Sequence, residues 1–136
     1  PNMSKCFLLL FILATMISTL PIPAEAVNYV KIGDDAAGTS YYMDVDSIKT
    51  HNEKNSGWVR VIPKGKGTKL YGKDVAYSKQ LWEADTKEKK LCITSFVDYD
   101  KGDKVVWKFT PTKPEVIDIL PNTLGDAVYR TLTKHK

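Results

Sequence analysis

From Asn28 to Thr110 the chain is a succession of short runs in which apolar and polar residues alternate. Turn residues separate them, and no connection is long enough for repeated crossover helices. Alternation with a period of two puts every second side chain on one face of a strand. Strands joined by short polar loops pair with their sequence neighbours and run antiparallel. Six runs read this way: "NYVKI" from Asn28, "TSYYMDV" from Thr39, "GWVRVIP" from Gly57, "DVAYSKQLWEAD" from Asp74, "LCITSFVDYD" from Leu91 and "KVVWKFT" from Lys104. In the second, Tyr41, Met43 and Val45 share a face; in the last, Val105, Trp107 and Phe109 do. Both faces are expected to be buried, and the core is the default place for Trp58, Trp82 and Trp107. "THNEKNS", Thr50 to Ser56, reads as a polar hairpin loop ahead of the third strand.

The period changes after Pro121. Thr123 and Asp126 form a T-x-x-D capping pattern, and Leu124, Ala127, Val128 and Leu132 recur at helical spacing. Arg130, Lys134 and Lys136 then place positive charge at the carboxyl end, where the helix dipole favours it. So short a helix is marginal in isolation and is expected to lie on the sheet. The fold class is α+β: an antiparallel, meander-like sheet of about six strands with one C-terminal helix packed on one face.

Ahead of this domain lies a different kind of segment. Lys5 precedes the apolar run Cys6 to Leu20, which ends at Pro21 and Pro23 and is followed by Ala24-Glu25-Ala26. The run falls short of the roughly 20 residues a spanning helix needs. A basic start, a short apolar core and small residues at −3 and −1 describe a secretory signal peptide. Residues 1–26 are therefore expected to be cleaved, leaving a mature domain, 27–136, with no transmembrane span and a place in the periplasm, on the cell surface or in the medium. Cleavage takes Cys6 with it, so Cys92 stands alone and no internal disulfide forms. Its apolar surroundings predict a buried, inert thiol.

Charge and motifs exclude more than they assign. Twenty Lys and Arg against 16 Asp and Glu give a net charge of +4, which favours anionic partners but falls well short of a nucleic-acid signature. Asp44 and Asp46 invite a metal-site reading. Counting from Asp44, however, the positions where an EF-hand needs an oxygen ligand, a glycine and a glutamate hold Ile48, Lys49 and Asn55. The stretch reads as a strand end: Asp44 faces solvent, Asp46 accepts backbone N–H groups in a turn with Ser47, and Ile48 anchors the turn. Gly67 to Asp74 imitates a phosphate loop until Asp74 replaces the magnesium-holding hydroxyl. Glu83 and Asp85 are expected to pair with Lys87 or Lys89. His51 and His135 sit in polar segments remote from Cys92, and no nucleophile–base constellation occurs. No catalytic, cofactor-binding or metal residue is assigned and no cofactor is expected. The remaining candidate is a flexible cationic loop, with Lys64, Lys66, Lys69, Tyr71 and Lys73 as a possible binding surface for sulfated glycans, anionic lipid heads or acidic protein patches.

"GTSYYMDVDSI", then "YSKQLWEAD" with a basic turn after it, then a P-x-T-L-G-D helix start occur in that order. In this the chain resembles the bacterial surface-adhesin protein E family, over roughly Tyr29 to Thr133. The resemblance implies an exported, non-enzymatic domain that binds extracellular or host-matrix macromolecules, of unspecified oligomeric state. It also marks a departure. Thr86 and Thr133 stand where family members often carry two cysteines that bridge helix to sheet, so the helix here would be held by packing alone. Two other readings stay open: a small periplasmic ligand carrier or enzyme with an internal pocket, and a structural envelope protein.

Overall fold

β4, Lys54–Ile62, runs through the middle of the sheet, and its burial alternates residue by residue. Asn55, Gly57, Val59 and Val61 are buried, while Ser56, Trp58, Arg60 and Ile62 point to the other face. Such strict alternation follows when one face is covered and the other is open to solvent. The computed structural model describes residues 27–134, so the expected signal peptide and His135 lie outside the described residues.

Around β4 the strands are β1 (Tyr29–Asp34), β2 (Ser40–Asp44), β3 (Lys49–His51), β5 (Thr68–Leu70), β6 (Lys73–Val75), β7 (Tyr77–Asp85), β8 (Lys90–Tyr99), β9 (Val105–Phe109) and β10 (Val116–Ile117). The main sheet is ordered β1-β2-β4-β7-β8-β10, with β3 also paired to β4 and β9 also paired to β8. β2 and β3 follow one another along β4, and β9 and β10 likewise share β8. Six strand positions result, all antiparallel, as the alternation predicts. The helix α1, Leu124–Lys134, follows. Among the described residues no helix is long and apolar enough to cross a membrane.

The core joins the two layers. Met43, Val59, Trp82, Ala84 and Leu91 from the sheet meet Val128 and Leu132 from α1. Tyr41, Val45 and Ile48 pack against this cluster, which bears out the expected inward face of β2 and the anchoring of its turn. Gly57 marks where the helix lands. A Cβ there would sit 2.9 Å from both a Leu132 methyl and the Met43 sulfur, so only a residue without a side chain admits the helix so close. The capping pattern also forms. Thr123 Oγ1 accepts the Asp126 N–H at 3.3 Å. Asp126 accepts the Asn122 N–H at 3.2 Å, one residue earlier than in the standard box, and pairs with Arg130 at 3.4 Å.

Several expectations need correction. "THNEKNS" is mostly strand: the turn is only Asn52-Glu53, both at positive φ, the signature of a two-residue type I′ hairpin. Asn55 is buried in the ladder and donates to the Leu132 carbonyl at 2.9 Å, satisfying an end the helix leaves open. Ser47, rather than Asp46, organises the turn after β2; its Oγ donates to the Asp44 carbonyl at 2.7 Å and accepts the Trp58 N–H at 2.9 Å. Glu83 pairs with Lys54 at 3.8 Å across the strands. Asp85 instead accepts the Lys87 and Glu88 backbone N–H groups at 3.1 and 2.9 Å, closing the β7–β8 turn. Further corrections, at β9, Trp58 and Asp44, belong with the candidate surface below.

Candidate binding surface

The cationic loop contains a hairpin. Gly67 closes its base: its φ is +81°, and a Cβ there would lie 2.2 Å from the Val75 carbonyl oxygen. Tyr71-Gly72 forms its tip, with φ of 50° and 76°, again type I′. The glycine spacing that imitates a phosphate loop thus serves a β-ribbon, with no helix following it. Tyr71 is an unusual tip residue, because an aromatic side chain in the left-handed region carries strain that asparagine or glycine escapes. It is also 82% exposed.

The ribbon leans on the sheet through β6 and β9, and its base is anchored by buried Val75. Between the ribbon and the β8–β9 turn lies an open groove of about 880 Å³, in which Lys66, Lys73, Lys101 and Lys104 surround Val75 and Val106. Asp74 and Asp100 belong to the lining too, and Asp100 Oδ1 is occupied by the Gly102 and Lys104 N–H groups, each at 2.9 Å. Two of the expected lysines, Lys66 and Lys73, are therefore brought together with two the sequence reading did not select, Lys101 and Lys104. Lys69 is exposed on β5, outside the groove lining. Lys64 turns away, its aliphatic chain lying over Gly38.

From the ribbon tip an aromatic row runs along β9. Tyr71 and Trp107 have ring centroids 6.4 Å apart, Trp107 and Phe109 stack at 5.5 Å and 18°, and Phe109 meets Phe96 of β8 at 6.3 Å. These separations suit tilted and offset aromatic pairs. Here the sequence reading fails. Val105, Trp107 and Phe109, expected in the core, are 59%, 38% and 46% exposed. A register shift opposite Asp98 and Tyr99 interrupts their alternation at Val106. Trp82 is in the core as expected, whereas Trp58 is only half-buried on the face away from α1.

That face holds a second, smaller feature, a cleft of about 160 Å³ lined by Tyr29, Asp44, Trp58, Arg60, Lys79 and Tyr99. Asp44 does not project freely into solvent as expected: it is half-buried, and its Oδ1 is enclosed. Tyr77 stacks on Tyr99 at 4.9 Å and donates its hydroxyl to Asp103 at 2.7 Å. Burial first, and that hydrogen bond second, push its pKa up to about 12. Cys92 is half-buried, and burial with the neighbouring Glu83 charge raises its pKa, so the thiolate is disfavoured. Among the described residues no cluster of three or more His, Cys, Asp or Glu side chains gathers for a metal ion.

The model of the family described as surface-adhesin protein E matches residues 29–132. The chain belongs to that family. Solved structures of Haemophilus influenzae protein E share the fold. Crystal form II aligns with a TM-score of 0.58 at 16% identity, covering 85% of this chain and 95% of that one. Protein E from a non-typeable strain gives 0.53 at 16% identity, over 82% and 78%. The sheet-and-helix architecture of this protein E-like chain is thus the architecture of those proteins. A search of curated proteins finds no match.

Proposed function

We propose that this protein E-like domain is an exported, non-enzymatic binding module that attaches to an anionic extracellular or host-matrix macromolecule through the lysine groove and the aromatic row beside it. Membership of a surface-adhesin family supports the class of activity. The observation that carries the site is Tyr71: an exposed aromatic side chain held in a strained backbone conformation at the ribbon tip, continuous with Trp107 and Phe109. Strain and exposure together disfavour such a residue unless it meets a partner. The neighbouring lysines supply long-range attraction, and the rings supply contact area once the partner arrives.

Solid-phase binding to a sulfated glycan or an acidic matrix protein tests this at two salt concentrations. Tyr71→Asn relieves the strain and removes the ring, so it is expected to leave the fold as stable or more stable while weakening binding. Replacing Lys66, Lys73 and Lys104 with Glu is expected to abolish the salt-dependent part of binding, because exposed charges are screened beyond about 8 Å at physiological ionic strength. Undiminished binding by both folded variants removes this surface as the site.

A further inference from the structure

The cleft on the face away from α1 is chemically unlike the lysine groove. Arg60 on β4 and Lys79 on β7 are register partners, so two cations stand directly opposite each other on one face of the sheet, an arrangement that is destabilising without compensation. Among the described residues neither makes an ion pair. Each is set against aromatic rings: the Arg60 guanidinium carbon lies 4.4 Å from the Tyr77 ring centre and 5.7 Å from that of Tyr29, and Lys79 Nζ lies 5.4 Å from that of Tyr99. Stacking on ring faces holds a cation while leaving its outward N–H donors free. Two buried polar atoms here have no hydrogen-bond partner, Arg60 Nε and Asp44 Oδ1. Asp44 lines the same cleft as the two cations, so the cleft suits a partner that is at once anion and donor.

We propose that this cleft binds a small carboxylate carrying a hydrogen-bond donor close to the carboxyl group, the chemistry shared by a hexuronic acid and a free amino acid. The carboxylate lies against Arg60 and Lys79, and the hydroxyl or ammonium group donates to Asp44. Tyr29, Trp58 and Tyr99 wall the carbon skeleton. About 160 Å³ is close to the roughly 150 Å³ cavity that accepts a single benzene-sized molecule, so a small free amino acid fits within the cleft, while a hexuronic acid enters by its carboxylate end and leaves the rest of its ring outside. The Asp44 carboxylate in the lining disfavours an anion with no donor, since it would face that ion with like charge. The site is separate from the lysine groove and does not depend on it.

Titration of the purified protein, followed by amide and indole NMR shifts, tests the proposal with D-glucuronate, L-alanine, D-glucose and sulfate as probes. Saturable shifts at the Trp58 indole with glucuronate or alanine, and weaker ones with glucose and sulfate, are expected. Asp44→Asn tells the two sources apart: it weakens alanine, whose ammonium loses a charged partner, more than glucuronate, whose hydroxyl keeps an acceptor. Arg60→Gln is expected to weaken binding roughly ten- to hundredfold, the worth of a charge-assisted hydrogen bond. If the loss of stacking unfolds that variant, Lys79→Met serves in its place. Sulfate binding as tightly as glucuronate and alanine, shifts unchanged in a folded Arg60 or Lys79 variant, or no saturable shift with any probe would each overturn the proposal, the last leaving a cleft filled by water alone.

Discussion

On β4, Val59 and Val61 alternate with Trp58, Arg60 and Ile62, and α1 closes over the valines. On β9, Trp107 and Phe109 alternate with Lys108, and both rings remain open to solvent. The two strands obey the same local rule and meet different fates. Alternation decides that a segment is a strand and which side chains share a face. It does not decide what covers that face. An eleven-residue helix is about 16 Å long and 10 Å wide, while six strands at about 4.8 Å spacing span roughly 24 Å. The helix covers β1, β4, β7 and the Leu91 end of β8, and the β9 end of the sheet is left as an exposed aromatic shelf.

Mutations that treat the two strands as alike should give unlike results. The largest effect is expected from Leu132→Ala, which empties the middle of the covered half: about 2–5 kcal/mol lost in denaturant titration. A neutral outcome would mean that α1 is not docked on β4. Next comes a gain. Thr86 is tied to Glu53 by its N–H and its hydroxyl, at 2.9 and 2.8 Å, close in sequence to Asn55, which holds the Leu132 carbonyl. Thr86→Cys with Thr133→Cys should therefore oxidise to a disulfide closing a loop of roughly 50 residues and add up to about 4 kcal/mol. Mass spectrometry reporting free thiols at both introduced cysteines, beside the native Cys92, would show that these positions do not face each other. Gly57→Ala pushes a methyl group into Leu132 and Met43 and should cost about 1–3 kcal/mol. Thr123→Ala removes the cap oxygen and should cost about 1 kcal/mol. Smallest is Trp107→Ala, for which a change below about 1 kcal/mol is expected despite the size of the side chain. A loss matching that of Leu132→Ala would make β9 part of the core and erase the contrast between the strands.

The residues themselves show why some of this was legible beforehand. Met43, Val59 and Leu132 announce their burial because each recurs at the period of its element, and Thr123 announces a helix start by chemistry confined to one turn. Asn55 was hidden by its polar neighbours; its task is to satisfy a carbonyl 77 residues away, which no local pattern records. Trp107 misled because size and apolarity favour burial on average, whereas the shelf exists through the limited reach of another element. The two candidate surfaces were half-legible for the same reason. Lys66, Lys73 and Tyr71 lie in one conspicuous loop, but Lys101 and Lys104 join them only through the β8–β9 turn. Arg60, Lys79 and Asp44 come together from three strands with nothing in their spacing to signal it.

Both margins of the main sheet are broken. β1 is bulged between Lys31 and Gly33. The opposite margin is divided between a five-residue β9 and a two-residue β10, separated by a stretch holding Pro111 and Pro114. An intact margin ending in Trp107 and Phe109 would be a template on which further chains could add strand by strand, as in fibril growth. The short segments, the bulge and the prolines deny that template. A sheet built this way can display aromatic rings to solvent without offering its own copies an edge on which to add.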